Sequence, residues 1–171
     1  MKDKLIRITC SIWVFLFSST VVSAQFLEPL DYVKFEVVHA LRIPHSRTSI
    51  ELSTTYGSKD KPIKAVVKSS PASDNEKFEY SKIDTSYYID KAKFYLIIDV
   101  VQKISASDIY SYRTMGEDGS TCKIEFGNFQ NYVSYIVWTP NYRTEERKLG
   151  PFLNACRMII ELVQLNPDEI L

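Results

Sequence analysis

A chain of 171 residues with 21 basic and 21 acidic side chains has no net charge, and 45% of it is hydrophobic. That balance leaves no basic patch or stripe of the kind that binds nucleic acid, and the length suits one domain with a real core. Five glycines in the whole chain leave little material for a phosphate-cradling loop.

The first 24 residues read as an export leader. Lys2, Lys4 and Arg7 make a short basic start, and an apolar run follows from Ile8 to Val22. The run ends "VVSAQ", with Val22 and Ala24 at the small-residue positions of a cleavage site. Its uninterrupted apolar part is shorter than the roughly 20 residues that span a bilayer. Residues 1–24 are therefore expected to be a cleaved signal peptide, cut between Ala24 and Gln25. Residues 25–171 are expected to form a single domain, slightly acidic and periplasmic or secreted. No later run is long enough to cross a membrane, and Cys10 lies inside the apolar run, where lipid attachment is not expected.

The next elements alternate. Val33, Phe35 and Val37 interleave with Lys34 and Glu36; Ile50, Leu52, Thr54 and Tyr56 with Glu51, Ser53 and Thr55; Ile63, Ala65 and Val67 with Lys64. A period of two marks half-buried strands. Pro44, then Gly57 to Asp60, then Ser69 to Asn75 supply the breaks. A further extended segment is expected around Phe78 to Ile83.

Asp90 opens a different pattern. Its carboxylate can accept from the free N–H groups of a first helical turn. Phe94, Ile97, Ile98, Val101 and Ile104 then recur at helical spacing. Asp118-Gly119 predicts a turn, and Thr121 to Trp138 a hairpin joined at Gly127 to Gln130. Pro151 suits the first turn of a last helix, whose apolar stripe is Phe152, Cys156, Ile159, Ile160 and Val163 and which Pro167 ends. Strands followed by helix, hairpin and helix predict an α+β domain. Its antiparallel sheet carries two main helices, about 90–104 and 151–165, on one face.

Cys122 shares a strand face with Ile124 and Phe126, and Cys156 lies on the last helix's stripe. If that helix covers that face, both sulfurs enter one core. A disulfide between Cys122 and Cys156 and a pair of buried thiols are both open readings.

Chemistry is sparse. His39 and His45, the only histidines, stand six apart with Pro44 between them, and read as surface or loop residues rather than metal ligands. No G-x-S-x-G arrangement is present. Glu79, Asp84, Asp90, Asp99 and Glu117-Asp118 could pair for acid catalysis only by converging in space, and read more simply as solvated acids. No catalytic residue, metal or cofactor is assigned.

The aromatic content is the more unusual feature, with eleven tyrosines. Tyrosine, tryptophan and arginine are the residue types that dominate binding energy at interfaces. Tyr132, Tyr135, Trp138, Tyr142 and Arg143 are the candidate partner-binding set. Residues Asn131 to Trp138 have large side chains on both strand faces. Either Tyr132, Ile136 and Trp138 or Val133, Tyr135 and Val137 must lie on the side the helices leave uncovered.

The runs "YRTMGEDGSTCKIEF", "YVSYIVWTP" and "FLNACRMIIELVQL" resemble the closing pattern of small uncharacterised bacterial exported α+β proteins: a D-G turn, a hairpin, an aromatic-x-Pro ending and a last helix. That resemblance implies no activity. The expectation is a non-enzymatic protein-binding domain of the bacterial cell envelope, for instance an immunity or inhibitor protein, with a protein partner there. A periplasmic module for a sugar or peptidoglycan fragment is the alternative, and an acid-based hydrolase is third.

Overall fold

The computed structural model describes residues 30–54, 62–111, 113–128 and 130–171. The predicted leader and the turn at Gly57 lie outside them. Six strands form one antiparallel sheet in the order β4-β3-β2-β1-β5-β6. They are β1 Tyr32–His39, β2 Arg47–Thr54, β3 Ile63–Ser70, β4 Ile83–Ile89, β5 Ser120–Gly127 and β6 Tyr132–Trp138. The helices are α1 Lys91–Val101, α2 Ala106–Ser111, α3 Gly150–Leu162 and α4 Pro167–Ile170. The fold is α+β, as the patterning predicts. Among the described residues, no helix is long and apolar enough to cross a membrane.

The first four strands run as a meander away from β1. Helices α1 and α2 then carry the chain back, so that β5 pairs with the other side of β1. Register follows the alternation: Phe35 stands between Ile50 and Ile124, and Glu36 between Ser49 and Lys123. Every odd position of β1 therefore faces the core, together with Ile50, Leu52, Val67, Cys122 and Ile124, all essentially inaccessible. Phe94, Ile97 and Val101 of α1 and Phe152, Ile159 and Ile160 of α3 close over them. Each such side chain contributes roughly 1.5–3 kcal/mol on leaving water. That is why two amphipathic helices hold one face of the sheet.

The opposite face is a ladder of charge. Lys34 reaches Glu36 at 2.8 Å, and Lys123 bridges Glu36 at 3.5 Å and Glu125 at 2.8 Å. The Lys34 ammonium, outweighing partial burial, holds the Glu36 carboxyl below its ordinary range. Surface pairs of this kind contribute little each. They do let long aliphatic stems cover the sheet while their charged heads stay wet.

Three local features differ from the sequence pattern. The expected strand at Phe78 is a 3-10 turn at Glu76–Ser81, because Asn75 accepts from the Lys77 N–H and caps it. The strand comes after it, where Asp84, Ser86 and Tyr88 alternate outward along the sheet edge. Pro167 opens a short helix instead of ending the last one, with Asn166 accepting from the Asp168 N–H. Asp90, in contrast, caps α1 as its position predicts, accepting from the Ala92 N–H at 2.6 Å.

Candidate functional site

Strand β6 is an edge, bonded only to β5. Its register places Val133, Tyr135 and Val137 toward the helices, and Tyr132, Ser134, Ile136 and Trp138 on the uncovered face. Beside this edge lies a cleft of about 330 Å³. Its walls come from α2 (Ile109, Tyr110), the connection after it (Arg113 to Gly116), β6 (Ser134 to Trp138) and the approach to α3 (Arg147, Leu149).

The connection closes down on the tryptophan. A Cβ placed on Gly116 would meet Trp138 Cζ2 at 2.3 Å, so only a glycine lets the backbone lie on that ring. Gly119, at φ 121°, makes the turn into β5, and a Cβ there would meet Thr139 Oγ1 at 2.3 Å. Tyr142 also meets Trp138 edge-on, with ring centroids 5.9 Å apart.

The segment after Trp138 is irregular. Thr139, Arg143 and Lys148 all have positive φ, a costly conformation for residues with a Cβ. Arg147 holds it. Its guanidinium donates to the carbonyls of Trp138 at 2.8 Å and of Thr139 and Tyr142 at 2.9 Å each. The side chain is 6% exposed, and its Nε is buried with no hydrogen-bond partner. Burial pulls the Arg147 pKa below its usual value. The Tyr135 phenol is pushed up by burial and then by Tyr110, so it stays protonated and able to donate.

The structure gathers part of the predicted set and disperses the rest. Tyr135 and Trp138 line one cleft, and Tyr142 packs on Trp138. Tyr135 also stacks at a tilt on Phe126, with centroids 6.0 Å apart. Tyr132 stands at the far end of β6, against a separate hollow of about 700 Å³ with Tyr32, Glu51 and Glu125. Burial, with Glu51 and Glu125 next, pushes the Tyr32 phenol up to about 12. Arg143 turns outward to Glu146. Tyr110, Arg113, Met115 and Arg147 carry no sequence motif, and only the folded chain reveals them as neighbours.

The remaining candidates also find places. His39 is buried on β1, not the surface or loop residue that the spacing implied, whereas His45 does lie in the loop between β1 and β2 but is buried there. His39 Nε2 donates to the Ile170 carbonyl at 2.8 Å, and His45 Nδ1 bonds the Ser69 hydroxyl at 2.9 Å. Cys122 and Cys156 meet in the core as two inaccessible thiols. Burial, then a hydrogen bond to Cys122, pushes the Cys156 thiol well up. Glu79 pairs with Lys82, while Asp90 is used as a helix cap. Among the described residues no group of three or more His, Cys, Asp or Glu could hold a metal ion. Compared with family models and with curated proteins, the chain finds no match.

Proposed function

We propose that this chain is an exported, non-enzymatic domain of the bacterial cell envelope that binds another protein at the β6 end of its sheet. One observation carries the reading. Tyr135 and Trp138 meet Tyr110 around a single cleft where, among the described residues, the lining contains no carboxylate, imidazole or thiol. Its polar groups are hydroxyls and guanidinium groups, which bind and orient but do not relay protons near neutral pH. At the same end Tyr110, Met115, Ile136 and Tyr142 are exposed, each by about half or more. Clustered exposed apolar residues with a polar rim are typical of interaction surfaces.

Capture from envelope extract tests this, comparing wild type with the Tyr135→Ala/Trp138→Ala double variant. Retained partners in the wild type and loss of at least 90% of them in the variant are expected, with circular dichroism confirming that the variant is folded. Equal capture by both would place the binding surface elsewhere.

A further inference from the structure

The cleft is cationic, and its charge is unbalanced. Arg113 and Arg147 both line it, yet among the described residues neither pairs with a carboxylate. Nearby basic residues behave differently: Arg143 pairs with Glu146 and Arg157 with Asp168. Arg147 is buried, and its three carbonyl bonds engage both terminal nitrogens while leaving Nε unmade and the net charge without a carboxylate partner among the described residues. A buried, unpaired charge is costly. An anion entering the cleft would relieve it, and no acid in the lining would oppose that entry.

Shape narrows the anion. The volume sits at the lower end of ligand cavities, enough for one large residue between Tyr110, Met115, Tyr135 and Trp138. The cleft runs along an edge strand whose outer backbone groups no other strand uses, the arrangement to which an extended peptide adds. At this strand's end Gly116 lies on Trp138 and both line the cleft. A chain end carries a carboxylate and a side chain on one residue, which matches the guanidinium groups and aromatic rings that line this one small cleft.

We infer that the cleft takes the C-terminal residue of the partner's chain, with its carboxylate facing Arg113 and a large apolar side chain against Tyr135 and Trp138. This rests on the protein-binding reading above. Arg113 makes the direct contact. Arg147 acts from beneath as a fixed positive charge, held in place by the carbonyls of the loop it clasps.

The test uses fluorescein-labelled hexapeptides ending in Phe, Leu or Trp, each as free acid and as C-terminal amide, read by fluorescence anisotropy. At least one free acid is expected to bind about tenfold more tightly than its amide, as a charge-assisted bond implies. Arg113→Gln, an exposed substitution outside any helix or strand, is expected to erase that preference, so that acid and amide bind alike. Equal binding of acid and amide overturns the proposal, as does a preference that survives Arg113→Gln. Amides with an internal Glu that match the free acids would point to an acidic side chain instead, and also overturn it. If no peptide binds while envelope capture still depends on Tyr135 and Trp138, the terminal-residue proposal falls and the protein-binding reading stands. If capture is indifferent to those residues, the reading itself falls.

Discussion

The imidazole of His39, in the central strand, donates through Nε2 to the backbone carbonyl of Ile170, 131 residues later. Arg42 reinforces the same junction by donating to the Glu169 carbonyl at 2.6 Å. The C-terminal turn is thereby fastened to β1, and the end of the chain is buried with it: Ile170 and Leu171 are both in the core.

This junction makes stability depend on pH. Burial lowers the pKa of His39, against the opposing hydrogen bond to Ile170, and burial lowers that of His45 as well. A base with a depressed folded pKa adds stability that is fully present above its unfolded value of about 6.5 and is lost as pH falls through the folded value. Thermal unfolding from pH 7.5 to pH 5 should therefore show a falling Tm. In His39→Gln/His45→Asn the fall should be shallower. Glutamine keeps an N–H donor at His39, and asparagine tolerates the positive φ at His45. An unchanged slope would assign the pH dependence to other groups.

Gly116 is required by contact with Trp138. Gly116→Ala should push the indole aside at a cost of roughly 1–3 kcal/mol, the range for overpacking. Trp13 and Trp138 are the only tryptophans, so in a chain prepared from Gln25 onward the emission reports Trp138 alone. A red shift with a lowered Tm is expected. Unaltered emission would mean that the connection does not rest on the ring.

Arg147 clasps the loop that carries Tyr142. Arg147→Met should lose roughly 2–3 kcal/mol in urea unfolding, because three carbonyls lose a charged donor. Arg147→Lys should recover only part of it, since an ammonium cannot reproduce the planar fork. Wild-type stability in both variants would show that the loop holds without the clasp.

Cys122 and Cys156 are placed to oxidise together. If the chain is exported to an oxidising compartment, as proposed, non-reducing mass analysis should find it two hydrogens lighter than the dithiol form. Reductant should then lower stability by about 3–4 kcal/mol, the loop-closure value for a loop of roughly 35 residues. Two free thiols in the exported chain would discard the bridge, leaving the pair as the buried hydrophobes they already resemble.

Most of the architecture follows from local rules. Period-two alternation around Phe35, Ile50 and Val67 sets which side chains face the core, and Asp90 marks where the first helix begins. The stripe holding Cys156 has to cover an apolar sheet face, and the face holding Cys122 is the one available. What escaped detection was weakly patterned. In β4 the core side of the strand is broken by Thr85, which is exposed, and Tyr87 there is only partly buried. Helix α2 has six residues and a single buried one, Ile109, too few turns for a periodicity to show.

The two faces of "YVSYIVW" are where tertiary structure decided. Both faces are apolar enough to be buried, and a one-residue slip in pairing would exchange them. Pairing of Cys122 with Val137, and of Lys123 with Ile136, sends Tyr135 inward and leaves Ile136 and Trp138 outside. The cleft beside that strand draws on residues near 109, 115, 135 and 147, which no local pattern links. They become one surface only because β5 crosses back beside β1 and carries β6 to the edge. Alternation and capping act over a few residues, so the sequence by itself determined most of the elements and, β6 excepted, their buried faces. Register and crossover act over the whole chain, and they built the site.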